Sequence, residues 1–335
     1  MKKTVVLIAA LLSFLPAYSR EASDDGLSGE LQIVPHLEFN PYVSTKSGGS
    51  GYEFGTSGLY TLFDSTLGDH FSLSICNLWL NESPKYLYSE SFNPQELTWV
   101  NWAFVTAQFN SFFVNVGKEA IRTGTFEEDE YDYNNYGSMC SHFWNDVPLY
   151  QWGARAGWRA EDESAEMSVQ VTSGAAGRWP FQEGITLNLN GYSDIGENSS
   201  LIAGLTWFNQ KDLKWFLLAA GYQRYAGDAT AQLDTYFYNR YGKFNTSVVA
   251  SLKYEFEKFD VTAKAGFDHF KAEEGKTTSF FAGGVFQYYP LKHSNDLRLH
   301  ATASFNGCGY PEYLAGESFF NFSVGVTYFL NLKLF

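Results

Sequence analysis

Apolar and polar residues alternate along most of this chain with a period of two, and the clearest run is the last one, FFNFSVGVTYFLNLKLF. Phe320, Phe322, Val324, Val326, Tyr328, Leu330, Leu332 and Leu334 hold its even positions. Asn321, Ser323, Gly325, Thr327, Asn331 and Lys333 hold the odd ones, with Phe329 as the exception. Such alternation separates the two faces of a β-strand. A face that stays apolar over eight positions is longer than most strands of water-soluble proteins provide.

Earlier runs repeat the pattern. DLRLHATASF sets Leu297, Leu299, Ala301, Ala303 and Phe305 against Arg298, His300, Thr302 and Ser304. FDVTAKAGFDHF sets Phe259, Val261, Ala263, Ala265 and Phe267 against Asp260, Thr262, Lys264 and Asp268, and TSVVASLKYEF turns Val248, Ala250, Leu252, Tyr254 and Phe256 to one side. Equivalent runs lie near 30–43, 52–64, 70–81, 98–108, 111–118, 147–159, 165–173, 183–192, 200–208, 214–224, 231–241 and 277–289. Together they predict sixteen strands, each near the 9–11 residues that a tilted strand needs to cross a bilayer. Short links between 193 and 245 leave fourteen or eighteen strands as alternatives.

The start of the chain, MKKTVVLIAALLSFLPAYS, has a basic pair, a short apolar run and small residues at Ala17 and Ser19. That pattern predicts a signal peptide over residues 1–19 and a single domain over 20–335. Past residue 20 no apolar run approaches the roughly 18 residues of a membrane helix. A chain that is exported and crosses a membrane without helices must do so as a closed β-barrel. The expected fold is therefore all-β, a transmembrane antiparallel β-barrel in the outer membrane. A final strand ending in an aromatic residue, here Phe335, resembles the signal read by the barrel assembly machinery. Its apolar face lies out of phase with Phe335, which points to a local bulge or to a weaker signal. Composition agrees: 18% aromatic residues with a mean hydropathy of only -0.24 suits alternating lipid-facing and water-facing positions with aromatic girdles.

With both termini on the periplasmic side, the links at 65–69, 109–110, 160–165, 256–258 and 290–296 are inner turns. Those at 82–97, 119–146, 173–182, 271–276 and 307–317 are outer loops. The longest follows the fifth strand and carries Glu127, Glu128, Asp129, Glu130 and Asp132 among six aromatic rings. Long segments within compact folds are usually functional or disordered, and buriable rings favour order. The loop is expected to fold inward as a pore constriction, its carboxylates facing lumen water and its rings packed on the barrel wall. In LYQWGARAGWR, alternation turns Arg155 and Arg159 into the lumen. Acid on a loop opposite arginine on a wall would set a transverse field across a narrow pore. An acidic flap on the outer surface is the other reading of the loop.

GKEAIRTGTFEEDEYDY, FWNDVPLYQWGARAGW and FQYYPLKHSNDLRLHATASF resemble segments of outer-membrane porins in the phosphate-selective porin O/P-like superfamily, in its branch from Gram-negative anaerobes. The resemblance implies a sixteen-stranded, usually homotrimeric diffusion channel for small hydrophilic solutes. Phosphate-specific members line the lumen with an arginine ladder. Here Arg155, Arg159, Arg240, Lys253, Lys264 and Arg298 point inward by alternation, but so do Glu38, Glu166, Asp234, Asp260 and Asp268. No cationic ladder is visible, so phosphate selectivity is not expected. Without residues 1–19, 21 basic groups face 37 acidic ones, a net charge of −16. A carboxylate-rich lumen favours cations or neutral solutes.

Other chemistry is thinly represented. Three cysteines make no disulfide framework and read as free thiols, although Cys140 and Cys308 both fall on outer loops and could bridge. The histidines show no metal spacing, and His36 and His300 read as lumen-facing strand residues. The Glu127–Asp132 run lacks the spacing of an EF-hand loop, which leaves calcium a minor alternative. No cofactor, metal or nucleic-acid partner is expected; the partners are outer-membrane lipid, the assembly machinery and small solutes. A barrel enzyme of lipase or protease type, for which no nucleophile motif stands out, and a plugged adhesion or assembly barrel are the rival functions.

Overall fold

The computed structural model describes residues 27–44, 50–53, 57–81, 100–128, 139–141, 143–144, 150–174, 184–210, 213–240, 243–272, 275–307 and 318–334. Sixteen antiparallel strands close into one barrel. They are β1 (Leu27–Ser44), β2 (Ser50–Glu53 with Gly58–Leu67), β3 (Phe71–Asn81), β4 (Val100–Phe109), β5 (Phe112–Ala120), β6 (Tyr150–Arg159), β7 (Ala165–Ser173) and β8 (Gly184–Asp194). The second half comprises β9 (Ser199–Gln210), β10 (Leu213–Ala226), β11 (Ala229–Arg240), β12 (Lys243–Glu255), β13 (Phe259–Ala272), β14 (Gly275–Tyr288), β15 (Leu297–Gly307) and β16 (Phe319–Tyr328 with Leu330–Lys333). Each strand pairs with its successor in sequence, and β16 returns to β1. The ring has no open edge, so every ladder finds its partners within the protein.

The two pieces of β2 meet β1 one residue out of register, Asn40 opposite Glu53 but His36 opposite Gly58. The two pieces of β16 behave differently. Ser44 opposite Phe319 and Glu30 opposite Lys333 belong to one continuous register, so no bulge interrupts this strand. The bulge expected from the phase of the last strand is absent as far as Lys333. Phe329 breaks the alternation because its ring lies inside the barrel, 4.4 Å beneath the Arg298 guanidinium and against Val34, Tyr60 and Cys76. Phe335 lies outside the described residues, as does the whole of 1–26 with its expected signal peptide.

Links at one end are short: 68–70, 110–111, 160–164, 195–198, 227–228, 256–258 and 289–296. The Ser164 hydroxyl and amide, donating at 2.6 and 3.2 Å, tie the 160–164 turn and hold the Asp162 carboxyl below its ordinary value. The stretch 193–245 resolves into full-length strands with only two residues, 211–212 and 241–242, between partners at the other end. The long links 82–99 and 121–149 also belong to that end.

Burial follows the alternation. Leu201, Leu205, Phe237, Leu252, Phe267 and Val324 point outward and stay exposed, while Thr206, Ser247, Thr262 and Ser304 line the inside. Rings gather at both rims of the outer face. Phe71 meets Phe109 edge-to-face and Tyr254, Phe256 and Phe259 run together at the turn end; Phe237 with Phe244, and Phe280, Phe305 and Phe320, do so at the other. An apolar band between aromatic girdles is the outer surface that a bilayer selects. Leu205→Arg, near the middle of β9, is expected to destabilise the barrel in lipid by about 2–4 kcal/mol. The lumen-facing Gln232→Arg should cost much less, as read from equilibrium unfolding in vesicles; equal losses would contradict the assigned faces.

Candidate functional site: a loop held inside the barrel

The polypeptide leaves β5 at Ala120 and turns into the barrel. Gln170 on β7 grips the first step, accepting from the Arg122 amide at 3.1 Å and donating to the Ala120 carbonyl at 2.8 Å. Asn188 on β8 donates to the Arg122 carbonyl and to Thr206 on β9. Gly124 follows, with φ of +97°, against Gly204 of β9. A Cβ on Gly124 would lie 2.2 Å from the Gly204 nitrogen, and one on Gly204 equally close to the Thr123 carbonyl oxygen. Two facing glycines are what allow loop backbone to lie directly on strand backbone.

The next residues reach β11. The amides of Phe126 and Glu127 donate to the two carboxylate oxygens of Asp234, each at 2.9 Å. These amides open a single 3₁₀ turn, Phe126–Glu128, whose free N–H groups suit a carboxylate. Thr125 shares a hydrogen bond with the Tyr236 hydroxyl at 2.8 Å, and that hydroxyl donates to Glu127 Oε2 at 2.7 Å. Glu127 Oε1 accepts from the Ser141 amide at 2.9 Å and faces Lys264 Nζ of β13 at 3.5 Å. One carboxylate thus fastens the outgoing leg of the loop, the returning leg and two wall strands.

Apolar contacts complete the docking. Phe143 of the returning leg is fully buried, stacked on Tyr236 at 4.7 Å and edge-on to Trp215. Ile121 joins the same cluster with Phe208, Leu217 and Tyr238, and Met139 packs on Val249, Phe281 and Val285. Burying Phe143 alone is worth about 1.5–3 kcal/mol.

The sequence-predicted residues separate into three groups. Glu127 is inside the barrel but only 2% exposed, so the expectation that its carboxylate faces pore water is corrected: it is a fastening buried in the wall. Glu128 ends the 3₁₀ turn, while Asp129, Glu130 and Asp132 lie outside the described residues. Arg155 and Arg159 face the lumen from β6, as alternation predicts, but each already has wall partners. Arg155 pairs with Glu119 at 2.9 Å and Glu166 at 2.8 Å, Arg159 binds Glu166 at 2.8 Å, and both guanidiniums lie over the Phe113 ring. The charge of this wall is therefore largely met locally. Glu38, Asp234, Asp260 and Asp268 are lumen-side and buried, whereas the Arg240 side chain lies outside the described residues. Cys140 is a buried thiol; its suggested partner Cys308, like most of the acidic run considered for calcium, falls outside the described residues.

Asp234, Tyr236, Lys264, Met139 and Phe143 escape sequence reasoning as a site. One signal was available: WFLLAAGY, residues 215–222, and DTYFYN, 234–239, abandon alternation and put bulky residues on both faces. A barrel strand that is apolar or aromatic inside needs a cover.

No protein-family model matches the sequence, and no curated protein matches it. Among solved structures the chain resembles OmpT, an outer membrane protein of Vibrio cholerae in a trimer form, at 12% identity and a TM-score of 0.58, over 90% of this chain and 100% of that one. An anion-selective porin from Comamonas acidovorans gives 14% identity and 0.60 over 91% and 100%, and a BenF-like porin from Pseudomonas fluorescens gives 9% and 0.54 over 92% and 99%. The fold is that of the outer-membrane β-barrels, porins among them.

Cys140 supplies a probe of the docking. In a Cys76→Ser/Cys308→Ser background its alkylation in the folded barrel is expected to be slow. Glu127→Gln removes the carboxylate charge that faces Lys264 and joins the two legs, and Gly204→Val drives the loop off β9; each should speed alkylation at least tenfold, equivalent to about 1.4 kcal/mol. Glu163→Gln, on the opposite rim, should leave the rate unchanged. Equal rates in all four proteins would mean that these contacts do not hold the loop.

Proposed function

We propose that the protein is an outer-membrane porin, a passive diffusion channel for small hydrophilic solutes. The observation that carries this reading is the loop after β5, whose two legs are fastened inside the barrel at Glu127 and at Phe143. A sixteen-stranded ring encloses an aqueous passage, and a segment anchored within it sets the passage's width. Residues 1–19 serve as the export signal and Phe335 as the assembly signal, and the barrels associate as trimers. Outer-membrane lipid and the assembly machinery are the partners.

Cations or neutral solutes are preferred. Arg155 and Arg159 are paired with Glu119 and Glu166, and Lys264 with Glu127, so these three cations have little charge left to attract anions. Asp129, Glu130 and Asp132 occupy the ten-residue span that joins the anchored legs, and they supply the surplus negative charge at the constriction. Removing either arginine would expose wall carboxylates and add to that surplus.

In planar bilayers the purified protein is expected to conduct. Combined Asp129→Asn, Glu130→Gln and Asp132→Asn should move the reversal potential in a salt gradient towards anions, most at 0.01 M, where the Debye length is about 30 Å. Arg155→Gln should move it the other way, with conductance in concentrated salt little changed in both. A protein that does not conduct would be a plugged barrel or an enzyme. Conduction with an unmoved potential would place these acids away from the passage.

A further inference from the structure

A second cluster of chemistry lies on the inner face where the barrel closes. His36 and Glu38 are two apart on β1 and therefore share a face. Across the seam, His300 of β15 and Glu38 of β1 both sit opposite Gly325 of β16. A Cβ at Gly325 would lie 2.4 Å from His300 Cε1 and 2.6 Å from its Nε2. Glycine there lets the imidazole lie across β16 and reach the carboxylate beyond it.

The three side chains converge. His36 Nε2 is 3.1 Å and His300 Nε2 3.4 Å from the same oxygen, Glu38 Oε2, and the three donor atoms lie within 4.8 Å of one another. The two rings are stacked almost parallel at 5.4 Å. An ion with bonds of about 2.0–2.1 Å in tetrahedral geometry holds its donors about 3.3 Å apart, and both measured edges fall near that value. The cluster is buried, yet neither ring nitrogen of His300, 4% exposed, makes a hydrogen bond among the described residues. Buried imidazoles are ordinarily partnered, so His300 has two nitrogens to offer. His36 is held by the other nitrogen: its Nδ1 lies 2.7 Å from the Thr327 hydroxyl, which leaves Nε2 directed at the cluster. Metal-bound histidines are oriented in this way by a partner on the second nitrogen.

We infer that His36, Glu38 and His300 form a binding site for a divalent transition-metal ion, best suited to zinc. Two imidazoles and one carboxylate favour zinc and its neighbours over calcium or magnesium, which seek oxygen cages. The ligands come from β1 and β15, on either side of β16, so the ion fastens the strands that close the ring. It stabilises only the closed state, because the unfolded chain separates His36 from His300 by most of its length.

The test uses tag-free protein, stripped with a chelator and refolded in detergent, titrated with zinc chloride against a chromophoric chelator. One equivalent should bind at micromolar concentration or below, cobalt substituted into the site should show the visible bands of a tetrahedral centre, and zinc should raise the temperature at which the folded band is lost on gels. His36→Gln and His300→Gln should each weaken binding by more than about 100-fold and Thr327→Val by about tenfold. His70→Gln and His293→Gln, at exposed histidines, should change nothing. If either ligand variant fails to fold, Glu38→Gln and Thr327→Val carry the comparison. Wild-type protein that binds no zinc, or binding that persists in the ligand variants, would overturn the site and leave the cluster holding only a shared proton.

Discussion

Lipid offers no water to a peptide group, and this structure is organised around that constraint. Each backbone N–H and C=O within the bilayer must find a partner in the protein, which a sheet achieves only by closing. Closure here is the pairing of β1 with β16, continuous from Ser44 opposite Phe319 to Glu30 opposite Lys333. The alternation that makes sixteen strands amphipathic follows from the same demand, since one face must satisfy hydrocarbon and the other does not. What remains free for function is the inner face and the links.

The inner face is not uniform. Most of it is lined by serine, threonine, asparagine and glutamine, but β9 to β14 carry Phe208, Trp215, Leu217, Tyr236, Val249 and Phe281 inside. Such rings gain by leaving water, and Ile121, Phe143 and Met139 of the loop provide the cover. Polar fastenings then fix the position that apolar contact alone would leave loose. Asp234 takes two amides of one turn, and Glu127 joins Tyr236, Ser141 and Lys264. A buried carboxylate with so many partners is costly to disturb, because its charge loses several compensating contacts at once. Within the acid-rich run, Glu127 is spent on holding the loop.

Strand number, facing and the inward course of the loop were legible because period-two alternation is a local property, readable residue by residue. So was the inward direction of Arg155 and Arg159. Their neutralisation was not, since Glu119 and Glu166 come from β5 and β7 and meet the guanidiniums only through register. Phe329 could only be noted as an exception, because sequence shows a break in alternation but not what an apolar ring on the inner face packs against. His36 and Glu38 were recognisable as a same-face pair, yet His300 is brought to them only by the closing of the ring. Clusters that depend on closure are the ones a linear reading cannot assemble.

These observations rest on one central claim, that the loop after β5 lies inside the barrel and narrows it. Single-channel conductance in concentrated salt, where fixed charge matters least, tests it most directly in a protein whose residues 129–138 are replaced by a short Gly/Ser link, with the anchored legs 121–128 and 139–144 left intact. The account predicts a stably folded barrel with a clearly larger unit conductance than the parent. An unchanged conductance in the folded variant would show that the span does not border the passage, and would contradict it.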